Sequence, residues 1–161
     1  MPKPTNGRIF QVSISSGGVP KGGVPEAFIT TNGLEGDAVQ HSKIHGGPER
    51  AVCIYSLERI HLLQEEGHPI FPGAIGENLT LSGIDWREMI PDAVLKIGGE
   101  EGPRLQLVQP VSPCNTIAAY FKDGVFKRID EERRPGWARW YARVIQEGPV
   151  RTGDSVHVES S

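Results

Sequence analysis

The chain has 161 residues with 17 basic and 20 acidic side chains, a formal charge of −3, so nothing global attracts it to nucleic acid or to an anionic membrane surface. Apolar residues at 37% and charged residues at 23% exclude the composition of a disordered chain. Gly and Pro, 20 and 13 residues, are spread throughout and argue for many short elements joined by tight turns, not for a helical bundle.

The length suits one domain of roughly 100 to 200 residues. No linker or repeat divides it, and a single domain over residues 1–161, with a core of about 8–158, is expected. No run approaches the roughly 18 apolar residues of a membrane span. The opening MPKPTNGRIF lacks the apolar stretch of a signal peptide. Cys53 and Cys114 form neither a CxxC motif nor a dense framework, which fits a reducing compartment without a structural disulfide. The expectation is a soluble cytoplasmic protein without a membrane or nucleic-acid partner.

Short apolar or alternating runs at residues 8–14, 51–55, 78–81, 93–97, 104–108 and 155–158 read as strands. In the first, Phe10, Val12 and Ile14 share a face, with Arg8, Gln11 and Ser13 mostly opposed. Gly or Pro beside nearly every run suits a closed or strongly bent antiparallel sheet. Two segments read as helices. Ser56 caps 57–66, with Leu57, Ile60 and Leu63 inward and Gly67 as the stop. Residues 136–147 match the helical template through Trp137, Trp140, Tyr141, Val144 and Ile145, with Arg139 and Arg143 on a solvated face and Gly148-Pro149 ending the helix. The fold class is mainly β with a few helices.

The densest cluster of unusual residues is Gly33-Leu34-Glu35-Gly36-Asp37, then His41, Lys43, His45-Gly46-Gly47 and Arg50. Glycines let backbone N–H groups approach a ligand, and Lys43 and Arg50 add positive charge, as an anion cradle requires; a plain turn with solvated bases fits the same residues. His41 and His45 lack the Glu of an HExxH motif, so zinc is not expected. The Gly-rich loop at residues 72–78 lacks a Lys-Ser/Thr ending and opens no helix, which disfavours a nucleotide P-loop. Asn78 has the donors and acceptor to read the edge of a heterocycle, or it belongs to a turn. Cys114 follows a strand-like run and two prolines, on rigid backbone where reactive groups are often displayed. Cys53, in Ala-Val-Cys-Ile-Tyr, reads as a buried small hydrophobe.

The ordered set Gly33-Leu34-Glu35-Gly36-Asp37, His45-Gly46-Gly47-Pro48-Glu49-Arg50-Ala51, Pro72-Gly73 with Gly76-Glu77-Asn78-Leu79, Gly83, and residues 110–114 resembles the MOSC domain, named for the C-terminal part of molybdenum cofactor sulfurases. Gly136-Trp137-Ala138-Arg139-Trp140-Tyr141 and Gly153-Asp154 resemble its small stand-alone bacterial members. The resemblance implies a MOSC-like β-barrel and a molybdenum cofactor (molybdopterin) whose metal is held by Cys114. It implies Lys21, His45 and Arg50 at the phosphate or pterin, and Glu77 and Asn78 lining the cofactor or substrate side. One departure is Val111, where many relatives carry Arg; Arg133 or Arg134 would have to replace that contact.

The function so implied is an oxidoreductase that reduces N-hydroxylated small molecules such as 6-hydroxylaminopurine, served by separate electron-donor proteins because the chain is too short for a flavin or iron–sulfur domain of its own. The alternative is a sulfur carrier whose Cys114 accepts persulfide sulfur from a pyridoxal-phosphate-dependent cysteine desulfurase for metal–sulfur cluster assembly. A Cys114–His45 hydrolase lacks a third orienting residue in the sequence. A binding-only module for the cofactor is a further reading.

Overall fold

A computed structural model describes residues 6–38 and 47–160. The strands are β1 (Asn6–Ile14), β2 (Gly22–Val24), β3 (Glu26–Thr30), β4 (Gly33–Leu34), β5 (Val52–Ser56), β6 (Leu79–Ser82), β7 (Val94–Ile97), β8 (Arg104–Pro110), β9 (Trp140–Gln146), β10 (Gly148–Arg151) and β11 (Ser155–Glu159). Among the described residues there is one α-helix, α1 (Leu57–Glu65), which follows β5 directly. The main sheet runs β11-β7-β8-β9-β5-β6-β1-β2, and pairing of β1 with β11 closes its first seven strands into a barrel. Closure leaves those strands no free edge. A small second sheet orders β10-β3-β4.

All the runs read as strands from the sequence form strands. Their inward residues, among them Val12, Ile54, Leu79, Leu81, Leu95, Ile97 and Leu105, are fully buried. The parallel pair β5–β6 needs a crossover, which α1 and the loop after it provide. Ser56 accepts a hydrogen bond from Arg59 N and caps α1; Leu57, Ile60 and Leu63 point inward, and Gly67 leaves the helix end at φ +96°. These features match the sequence expectation. Among the described residues, no helix is long and apolar enough to cross a membrane.

The second expected helix is not formed. Residues 140–146 are strand β9, laddered to β5 on one side and β8 on the other. Trp, Tyr, Val and Ile suit a pleated surface as well as a helical stripe, and the ladder to β8 along the run, joined by β5 at residues 140–142, holds it as a strand. Gly136, at φ +88°, separates this strand from the preceding turns. In β1 the simple alternation also fails. The register slips between Ile9 and Gln11, so Ile9 joins Val12 in the core while Phe10 is 45% exposed and Ile14 only half-buried. A bulge of this kind re-aims side chains. The short strands β2, β3, β4 and β10 carry too few alternating residues to stand out in the sequence.

Gly73 fixes the loop that approaches the site. Its φ is +87°, and a Cβ there would lie 2.3 Å from the Lys21 carbonyl oxygen and 2.9 Å from Ser13 Oγ. Gly73→Ala should therefore cost about 2 kcal/mol or more of folding stability through strain and clash. Gly124→Ala, at φ +72° in open space, should cost only about 1 kcal/mol. Denaturant unfolding of both variants measures the difference.

Candidate functional site

A cavity of about 450 Å³ opens between the β5–β9 face and the loops around residues 17–21, 37–38, 75–78 and 111–117. That volume falls within the usual range for small-molecule sites. Cys53 and Tyr141 are cross-strand partners, so both side chains project to the same side of the sheet, and both line the cavity. Lys21, Asp37, Arg50, Asn78, Cys114, Thr116 and Arg139 are among its polar lining residues.

Cys114 lies just beyond the end of β8, partly exposed, with Sγ 2.9 Å from Thr116 Oγ1. That contact fixes the thiol rotamer. Lys21 Nζ forms an ion pair with Asp37 Oδ2 at 2.6 Å, and Asp37 Oδ1 accepts from Ser15 N. The Arg50 guanidinium lies over the Tyr141 ring, 5.4 Å from its centroid. Burial, followed by the neighbouring Cys53 thiol, raises the Tyr141 phenol above its ordinary value, which keeps it protonated at neutral pH.

The structure brings Lys21, Arg50, Asn78 and Cys114 together around one space. His45 lies outside the described residues. Asn78 reaches the cavity but spends most of its capacity inside the protein: Oδ1 accepts from Cys53 N at 3.0 Å, and Nδ2 donates to Asp37 Oδ2 at 2.9 Å and Ser13 O at 3.3 Å. Its chief part is bracing the wall. Glu77 is not among the lining residues. It is fully buried, accepts from Thr80 Oγ1 at 3.1 Å and leaves Oε1 without a hydrogen-bond partner among the described residues, so contact with a ligand in the cavity does not follow from its position.

Reading residues 136–147 as a helix hides two lining residues. That reading groups Tyr141 with an apolar stripe and Arg139 with a solvated face; Arg139 is only 6% exposed and lines the cavity. Arg143 is half-buried and pairs with Glu49 at 2.8 Å. The signal was present in the β-branched and aromatic content of the run, which equally specifies a strand whose alternate residues meet a site.

The two thiols differ sharply. Burial pushes the Cys53 thiol up to about 11, whereas Cys114 has solvent access. Brief treatment with iodoacetamide at pH 8 should place the first adduct on Cys114 and leave Cys53 unmodified until the protein unfolds. Peptide mass spectrometry reads the site.

Burial also raises the Glu77 carboxyl above its ordinary 4.5, against the pull of hydrogen bonds from the Gly73 and Glu77 backbone. As pH rises past 4.5, the unfolded chain releases this proton before the folded one does, so the contribution of Glu77 to stability declines up to its folded-state value. Stability of wild type relative to Glu77→Gln should therefore fall as pH increases from 4 to 8, measured by urea unfolding across that range.

A family model for the MOSC domain matches residues 41–157. The chain is 31% identical over 128 residues to the uncharacterized protein YflK of Bacillus subtilis, covering 79% of this chain and 56% of that protein. It is 30% identical over 131 residues to protein YiiM of Escherichia coli, covering 78% and 55%. It thus spans little more than half the length of these relatives. A Gibberella moniliformis protein named Reductase is 29% identical over 134 residues, 80% of this chain and 23% of that one. The crystal structure of YiiM from Geobacillus stearothermophilus superimposes with a TM-score of 0.72 at 22% identity, covering 96% of this chain and 75% of that one. With the barrel, the motif order and the family match in agreement, the chain belongs to the MOSC domain family.

Proposed function

We propose that the cavity binds a molybdenum–pterin cofactor through Cys114 and that the protein reduces N-hydroxylated small molecules. The observation that carries this reading is the meeting, around one cavity, of an accessible thiol with the cationic side chains Lys21, Arg50 and Arg139. The donor set suits the group. A soft sulfur ligand fits molybdenum held by a dithiolene, a bound metal keeps a thiol deprotonated, and cationic side chains suit a phosphate.

When bound, the group would supply two-electron redox chemistry at the metal. The chain's own residues would supply the setting. Cys114 holds its place through Thr116, and the Lys21–Asp37 pair with Asn78 keeps the opposite wall in position. The Tyr141 phenol, protonated at neutral pH, can donate a hydrogen bond to a polar ligand. Conversion of N–OH to N–H and water consumes two electrons and two protons. A separate electron-donor protein would provide the electrons. The fungal relative named Reductase lends support of the same kind.

Protein produced in cells that make the cofactor should contain molybdenum by elemental analysis, and Cys114→Ser should lose most of it while retaining its fold. Well-folded wild type without molybdenum would overturn the reading. If that protein instead gained one sulfur on Cys114 after incubation with cysteine and a desulfurase, the sulfur-carrier function would replace it.

A further inference from the structure

The connection from β8 to β9 leaves the barrel after Pro110, supplies Cys114, Thr116 and Ile117 to the cavity, and then docks against the loop that follows α1. That loop lines the same cavity through Ile75 and Gly76. The two segments meet at two aromatic contacts, Phe71 with Tyr120 at 5.6 Å between ring centroids and His68 with Phe121 at 5.4 Å. Lys122 Nζ also donates to Glu66 O. The wall that follows the thiol is therefore fastened outside the barrel, at the end of α1.

His68 is the polar centre of this docking. Its side chain is fully withdrawn from solvent, and both ring nitrogens face donors: Nδ1 accepts from Lys122 N at 3.2 Å, and Nε2 lies 2.9 Å from Arg128 Nη1. A neutral imidazole has one acceptor nitrogen, so it serves one of these donors at a time. An imidazolium serves neither, and it would add a third positive charge beside Arg128 and Lys122.

The charged groups around the ring come from both segments. Arg128 pairs with Asp123 and lies over the Phe121 ring. Glu66 Oε2, 3.7 Å from Nε2, favours the imidazolium, but that carboxylate is exposed and is shared with Arg134, 3.8 Å from Oε1. Burial, followed by Arg128, holds the imidazole below its ordinary 6.5. The Val125 N–H and Arg128 hold the Asp123 carboxyl below its ordinary 3.8, so Asp123 stays charged while the ring titrates.

We propose that His68 is an acid-operated latch: neutral, it fastens residues 121–128 to the end of α1, and protonated, it releases them and slackens the cavity wall beyond Cys114. The docked ring takes up a proton less readily than a released one. Docking is therefore complete above 6.5 and weakens as pH falls from there to the lower docked value. The latch involves no bound cofactor, so it stands or falls apart from the redox function.

Hydrogen exchange of the full chain at pH 7.5 and 5.0, read by mass spectrometry and corrected for intrinsic rates, tests this. Protection of amides 121–126, which include the Lys122 N–H, should fall about tenfold at the lower pH while strands β5 and β6 keep theirs. His68→Asn, whose side-chain oxygen can accept from Lys122 N without titrating, should show no such fall. Unchanged protection in wild type, a loss shared by the barrel strands, or an equal loss in His68→Asn would overturn the latch. If His68→Asn fails to fold, the wild type decides: protection must begin to fall near pH 6.5 and level off where the His68 ring resonances titrate in the native protein, and a fall that continues past that point overturns the latch.

Discussion

The site depends on how Asn78 joins pieces of chain that are far apart in sequence. Its backbone N–H donates to Cys53 O and its carbonyl accepts from Ser13 N, while its side chain takes Cys53 N–H and reaches Asp37 and Ser13. β1, β5 and the Asp37 segment are thereby tied at one buried point. Each of these donors and acceptors would be costly to leave unmet away from water. Asp37 in turn holds Lys21, and Gly73, free of a Cβ, lets the Lys21 backbone dock at 2.8 Å. The cationic wall of the cavity is a consequence of this chain of hydrogen bonds.

The two cysteines show how the same fold assigns opposite properties to one functional group. Cys53 sits in a strand whose every residue is buried, so desolvation holds its proton and it acts as packing. Cys114 lies four residues beyond the end of β8 at Pro110, immediately before the 3-10 turn that begins at Asn115. Beyond the sheet the sulfur is partly exposed, with the Thr116 hydroxyl at hand. A thiol needs both access and a way to stabilise its anion before it can act as a ligand or nucleophile, and only the second position offers access.

Much of the barrel was legible because its strands alternate or are short apolar runs bounded by Gly and Pro. Cys114, Lys21, Arg50 and Asn78 could be named for the site from motif order, although nothing in the sequence revealed that Asn78 would spend itself on Cys53, Asp37 and Ser13. Glu77 stood beside Asn78 in the same motif, but successive residues entering a strand point to opposite sides, and the structure turns Glu77 into the core. The segment 136–147 is ambiguous in sequence because Trp140, Tyr141, Val144 and Ile145 satisfy a helical period and a strand propensity together. Only the ladders to β5 and β8 decide between them, and those are non-local. A helix would turn Arg139 to solvent and bury Tyr141 in an apolar stripe, whereas the observed backbone brings both to the cavity.

A chain with net charge −3 nevertheless concentrates Lys21, Arg50 and Arg139 around one concave space, with Asp37 as the acidic lining residue. Low-dielectric walls make such local charge more effective than the global balance suggests. The three cations do not contribute alike. The Lys21 charge is largely answered by Asp37 at 2.6 Å, and Arg50 stacks on Tyr141. Arg139 has the Ile75 carbonyl and the electrostatic influence of Glu77, whose carboxyl burial holds toward its neutral form. In the ligand-free fold a buried cation so placed opposes stability, which makes it a poor candidate for a purely architectural residue. An anion entering the cavity would recover that desolvation cost as binding free energy.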